Sequence, residues 1–202
     1  MMQTTLDFDS STTPRVIASL RALVPKRAVT FAESLRIAKK QAQRLVQLLD
    51  AHDGVVPIEF LDHHTNIRII CAPLPISGLA HWTGTRWIIT VNSRESWQRQ
   101  RATIAHEFKH ILDHGHCHNL YCSTPCHTAA EQAEIAATYF AGCVLVPRSM
   151  LKRAWAGGIQ RHQELADHFD VTVSAVRVRL EQTGLSASTR RYQQRCNRKA
   201  HS

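Results

Sequence analysis

Residues 99–114 read Arg-Gln-Arg-Ala-Thr-Ile-Ala-His-Glu-Phe-Lys-His-Ile-Leu-Asp-His, and His106-Glu107-Phe108-Lys109-His110 at their centre organises the reading of the whole chain. Ile104, Ala105, Phe108, Ile111 and Leu112 supply the apolar face of a helix over about 97–114, and Gly115 is placed to stop it. On a helix, residues four apart lie on one face about 5–6 Å from each other. His106 and His110 can therefore offer two imidazoles to one zinc ion, with Glu107 close to the open coordination position as a general base. Zinc lowers the pKa of water from about 16 toward about 7, which makes hydroxide available at neutral pH.

Such a site needs a third protein ligand, and three residues qualify. His116 would require a sharp turn at Asp113, where glycine is the usual solution. Glu131 stands three residues after Thr128, the spacing of a capping box, and so has a local task at the start of the next helix. Glu134 has no such task. It shares a face with Ala137, Thr138 and Ala141, small residues that let a neighbouring helix approach, and a carboxylate in that seam would be costly unless paired or bound to metal. Glu134 is the expected third ligand.

Outward from this centre the elements follow in order. A helix fits about 31–51, capped by Thr30 with Glu33, with Leu35, Ala38, Ala42, Leu45 and Leu49 as its stripe and Lys39, Lys40 and Arg44 on its solvated face. Strands are expected at 67–72 and 87–91, with a hairpin at 81–85 around Gly84. The segment 115–127 reads as a Cys/His-rich loop. A helix from Thr128 must end by Pro147, a shorter one closes at Gly157-Gly158, and two helical patterns flank Asp170-Val171-Thr172. Residues 1–14 read as disordered, and Cys71 and Cys143 as core thiols.

Two segments, 99–114 and Glu134 to Pro147, together resemble the ImmA/IrrE family of zinc metallopeptidases. The second is similar to the family pattern through Glu134, Ala137, Phe140, Ala141, Leu145 and Pro147, and the resemblance extends over about 33–185. It implies a gluzincin-like α+β peptidase: a small mixed or antiparallel sheet against zincin-type helices, followed by a helix-turn-helix-like segment. It also implies zinc on His106, His110 and Glu134, Glu107 as general base, and a partner helix-turn-helix repressor as substrate. Thr138 stands where the family usually has Asn, Lys109 where many members have Gly, and Gly142 where Ala is usual. The domains expected are an N-terminal segment (1–29), the peptidase domain (30–158), the helix-turn-helix-like segment (159–185) and a basic disordered tail (186–202).

Further residues receive assignments around this core. Tyr139, Tyr121 and His114 are the donors available to a developing oxyanion, and the sequence does not choose among them. Cys117, Cys122, Cys126 and His127 offer the ligand types of a second, structural zinc at a spacing looser than a zinc knuckle, so a reduced loop is the competing reading. In the segment 163–184, Ser174, Arg177 and Arg179 could reach DNA if the two helices are a true helix-turn-helix; a packed helix pair is the alternative.

The 202 residues are 44% hydrophobic and 20% charged, with a net charge of +9. Five of those charges (Arg190, Arg191, Arg195, Arg198 and Lys199) lie in the last twenty residues, whereas 51–150 has seven basic and eight acidic side chains. Six of the thirteen histidines fall between His106 and His127. No glycine-rich phosphate loop, membrane-length apolar run or secretory signal is visible, and the expected location is the cytoplasm. The function classes left standing are a zinc endopeptidase, a DNA-binding regulator with a structural or vestigial zinc site, and an antirepressor that holds its partner without cutting it. Oligomeric state is not readable.

Overall fold

Alternation of apolar and polar residues produces short strands early in the chain, and 3.6-residue periodicity produces helices around them. The computed structural model describes residues 13–64 and 66–185. Its elements are α1 (Thr13–Arg21), α2 (Phe31–Leu48), α3 (Phe60–His64), β1 (Ile67–Ala72), β2 (Gly78–Trp82), β3 (Trp87–Asn92), α4 (Trp97–Asp113), α5 (Cys117–Leu120), α6 (Ala129–Leu145), α7 (Arg148–Ala156), α8 (His162–Phe169) and α9 (Val173–Thr183). The fold is mixed α+β, as expected. The tail beyond 185, with its five basic residues, and most of the 1–14 segment lie outside the described residues.

The sheet has the order β1-β3-β2, with β1 parallel and β2 antiparallel to β3. Trp87 pairs with both Ile67 and Trp82, and Val91 with Cys71 and Gly78. The hairpin turns at Gly84, whose φ of +95° suits glycine. Its first strand begins at Gly78, earlier than the 81–85 reading suggested. Gly78 is also a point of close approach: a Cβ there would stand 2.4 Å from Thr103 Cγ2 on α4 and 2.7 Å from the Thr90 carbonyl.

α6 packs between α2 and α4 and brings the two halves of the motif together. Ala136 and Ala137 are fully buried, and Phe140 meets Phe108 of α4 with ring centroids 6.2 Å apart. The start of α6 is held by the expected capping box: the Glu131 amide donates to Thr128 Oγ1 at 3.2 Å, and the Thr128 amide donates to Glu131 Oε2 at 2.7 Å. The caps of α2 and α9 are Thr30 and Thr172.

Three features differ from the sequence expectations. α1 forms within the expected N-terminal segment and buries Val16 and Leu20 in the main core, while Arg21 donates to the Ile111 and Leu112 carbonyls at 2.7 and 3.2 Å. That guanidinium satisfies the Leu112 carbonyl at the C-terminal end of α4 and adds a second donor to that of Ile111, which the His114 amide reaches at 3.3 Å. Part of the 115–127 loop is helical, as α5. Cys71 is exposed near the end of an edge strand, its thiol 3.8 Å from Gln100 Oε1, whereas Cys143 is buried as expected. Leu165, Ala166, Phe169, Val171, Val176 and Leu180 of the helix-turn-helix-like segment share one core with Phe108, Phe140 and Ile104, the arrangement of the packed helix pair named as one of its two readings.

Arg101 anchors that segment. It is fully buried on α4, and its guanidinium donates to the Val56, Phe169 and Asp170 carbonyls at 2.6, 3.2 and 2.5 Å. It also meets the carboxylates of Glu59 (3.1 Å) and Asp170 (3.3 Å). Asp170 occupies the left-handed turn between α8 and α9 at φ 48°, so one side chain ties that turn to the helix bearing His106.

Candidate metal centre

His106 and His110 project from one face of α4 and meet Glu134 projecting from α6. His106 Nε2 lies 3.0 Å from His110 Nε2 and 3.2 Å from Glu134 Oε2, and His110 Nε2 lies 3.3 Å from Glu134 Oε1. A tetrahedral shell with ligands at about 2.1 Å separates its donor atoms by about 3.4 Å, so this N, N, O triangle fits a zinc-sized ion. Among the described residues these three form the group able to hold a metal.

The Glu134 side chain is 63% exposed, against 23% and 29% for the two histidines. Contrary to the expectation from sequence, the Glu134 carboxylate is therefore not buried in a helix seam. Ala136 and Ala137 face the packed side of α6, and Glu134 stands at the mouth of a cleft lined by Thr138, Ala141 and Gly142. His116 takes no part in the group, since Gly115 at φ 84° turns the chain away after α4.

Thr138 Oγ1 lies 3.4 Å from His106 Nδ1, so the threonine at the family's asparagine position still reaches the ring nitrogen opposite the metal-facing one. Burial pulls His106 below the usual imidazole value, helped by the neighbouring His110 and opposed by Glu134. A neutral imidazole is the form that ligates metal. Glu107 is pushed above the usual carboxylate range by burial and by Glu134 beside it, while His110 and the Ala80 amide act in the opposite direction.

The centre lies between two hollows. One, of about 540 Å³, runs from His106, Glu107 and Glu134 between α4, α6 and α9. The other, of about 500 Å³, runs past Leu79, Ala80 and Trp87 to His114. The unpaired side of edge strand β2 accompanies Glu107 along this second hollow, where the Ala80 amide hydrogen-bonds its carboxylate.

The other residues singled out from sequence are dispersed. His114 is exposed, stands edge-on to Trp87 at 5.0 Å and lines the second hollow. Tyr121 is turned away from the centre: its phenol is 5% exposed and donates to Asp113 at 2.5 Å. Burial and Asp113 raise that phenol far above its ordinary value. Lys109, fully buried, pairs with the same Asp113, so the lysine at the family's glycine position lies on the core side of α4 rather than at the metal. Tyr139 likewise interacts with Cys143 and Arg179.

Cys117, Cys122 and Cys126 are exposed free thiols, and with His127 they form no metal group. His127 packs against Phe31 instead, with ring centroids 6.1 Å apart. In α9, Arg177 is exposed, but Ser174 lines the metal cleft and Arg179 is 4% exposed, donating to the Val146 carbonyl at 3.2 Å. Of the three side chains considered for DNA, Arg179 faces inward, while Ser174 and Arg177 are exposed. Gly142 makes room for Arg179, since a Cβ there would stand 3.0 Å from its Cδ. Sequence reasoning missed Arg21, Arg101 and the inward role of Arg179. The i,i+4 spacing of Lys109 and Asp113 was a visible signal for their pair.

Two packed helices presenting two histidines, an adjacent glutamate and a second-helix glutamate define a class, chains built on a metallopeptidase scaffold. A sequence model of a peptidase family, described as the IrrE N-terminal-like domain, matches residues 62–181, and the chain belongs to that family. The match takes in α8 and most of α9 as well as both halves of the metal motif. Among solved structures, a Mycobacterium tuberculosis transcriptional regulator shares the fold with a TM-score of 0.60 at 16% identity, over 82% of this chain and 51% of that one. The chain thus spans about half the length of that regulator. A search of the curated proteins returned no match. Among the described residues no helix is long and apolar enough to cross a membrane.

Proposed function

We propose that the chain is a zinc-dependent endopeptidase acting in the cytoplasm, and that its substrate is a partner helix-turn-helix repressor. The observation that carries the reading is the donor triangle of His106, His110 and Glu134, at 3.0–3.3 Å, beside a raised Glu107 in a cleft open on both sides. Zinc, when bound, supplies Lewis acidity, acidifying water and polarising a carbonyl.

The chain's own groups do the remaining work. Glu107 takes the proton from the attacking water and returns it to the departing amine nitrogen, and a carboxylate made more basic by burial suits both transfers. Thr138 orients the His106 ring. The Ala80 amide holds Glu107, and His114 takes the role of donor to the oxyanion, a choice supported by its place in the lining of the second hollow. An extended substrate fits a cleft with an edge strand beside it, because such an edge offers unpaired backbone groups to a peptide. Support for a regulatory substrate comes from the family resemblance.

The test is co-incubation of the zinc-loaded chain with the repressor encoded beside it. Fragments that appear with zinc and vanish with a chelator support the reading. A stable, uncut stoichiometric complex would replace it with sequestration. Promoter binding that survives chelation, with the repressor uncut, would replace it with a DNA-binding regulator.

A further inference from the structure

Three cationic side chains are buried among the described residues: Arg101, Lys109 and Arg179. Arg101 meets Glu59 and Asp170, and Lys109 meets Asp113. Arg179 differs. Its hydrogen-bond acceptors are neutral, the Val146 carbonyl at 3.2 Å and Gln182 Oε1 at 2.7 Å, and among the described residues no carboxylate pairs with it. A buried cation without a counter-charge costs several kcal/mol, which an anion would offset.

Arg179 also forms part of a cavity of about 730 Å³, on the side of α6 away from the metal centre. Lys39 of α2 and Arg148, Lys152 and Arg153 of α7 line it too, and no Asp or Glu does. His52 at its edge is already paired with Asp50, and Arg153 is committed to the His52 carbonyl. The start of α7 opens on the same space through Pro147, Arg148 and Ser149, and Pro147 leaves its first-turn amides without a side-chain cap. Converging guanidinium and ammonium groups, together with a helix start, match the tetrahedral, multiply charged oxygen shell of a phosphate.

We propose that this cavity binds a small phosphate-bearing anion, with Arg179 as its floor and Lys39, Arg148 and Lys152 as its walls. The volume lies in the range of small-molecule sites, and a half-open pocket of that size between α2, α7 and α9 suits a polyphosphate or nucleotide better than a nucleic-acid duplex. Because Arg179 also lines the metal cleft and packs against Gly142, one side chain connects the two spaces. The inference does not depend on the peptidase reading.

The test is calorimetric titration of the full chain with inorganic phosphate, tripolyphosphate and ATP at fixed ionic strength, repeated after chelation so that a bound metal takes no part. One tripolyphosphate binds per chain in both forms, and the triple variant Lys39→Ala, Arg148→Ala, Lys152→Ala weakens it by about tenfold per lost cation. Arg177→Ala, which removes an exposed charge outside the cavity, leaves the affinity unchanged. Tighter binding of ATP than of tripolyphosphate assigns the site to a nucleotide, and equal binding assigns it to the phosphate chain alone. Equal weakening by Arg177→Ala would overturn the proposal, as would insensitivity to the triple variant, or binding of duplex DNA without tripolyphosphate. The wall substitutions carry the test, since Arg179→Gln risks the fold itself.

Discussion

Replacing Arg101 by methionine removes the tie between α4 and the turn that precedes α9. Methionine keeps an apolar stem of similar length, so the loss is confined to the guanidinium. The Val56, Phe169 and Asp170 carbonyls lose a charged donor at 2.6, 3.2 and 2.5 Å, and Asp170 keeps a carboxylate with no partner in that direction. Glu59 is 41% exposed and recovers water, so it adds little. Breaking one side of a buried ionic network costs about 3–5 kcal/mol, a large share of the roughly 5–15 kcal/mol that holds a domain together. With a urea slope of about 1–3 kcal/mol per molar, the unfolding midpoint followed by circular dichroism drops by about 2 M. Asp170→Asn is the graded control. Asparagine tolerates the left-handed turn and keeps an acceptor for Gln98, now 2.9 Å from Asp170 Oδ1, so the cost falls to about 1 kcal/mol. A midpoint for Arg101→Met within about 0.3 M of wild type would refute the view that this guanidinium locks α8 and α9 to the metal-bearing helix.

Three further outcomes follow from the geometry. Thr138→Val removes the hydroxyl 3.4 Å from His106 Nδ1 and weakens zinc affinity by about 10–100-fold in a chelator competition, with the fold intact by circular dichroism. Lys109→Met strands Asp113 beside Tyr121 in the core and costs about 3–5 kcal/mol in urea unfolding, while Lys109→Met with Asp113→Leu recovers most of that loss. Hydrogen bonds from the amide and hydroxyl of Thr128 hold the Glu131 carboxyl below the usual range, so its cap stabilises α6 above the unfolded-state pKa and is lost as pH falls through the lowered one. The difference in melting temperature between wild type and Glu131→Gln therefore closes in acid.

Much of the centre was legible because its signals are local. The spacing of His106 and His110, the apolar face around Phe108 and the Thr128–Glu131 box that leaves Glu134 free all act within one or two helical turns. α1 was missed because a Ser/Thr-rich run precedes it, although Val16, Leu20 and Val24 carry a helical spacing that could have found it. The partners of Arg21 and Arg101 lie 42 to 91 residues away, and no local pattern marks such contacts. Arg179 read as a surface base because charge favours the outside, but Gly142 opens a space that admits it. The cysteines of 117–126 have the chemistry of zinc ligands, yet the chain leaves them exposed and separate, since composition does not specify convergence.

In the proposed cleavage, Glu107 moves the proton while zinc is held by His106, His110 and Glu134. The most direct measurement compares wild type and Glu107→Gln, each with its zinc content determined, on the repressor encoded beside the chain. One zinc per chain is expected in both proteins, with fragments from wild type and a rate lower by about 10²–10⁴-fold in the variant. Equal cleavage by the two proteins at equal zinc content would contradict this role of Glu107.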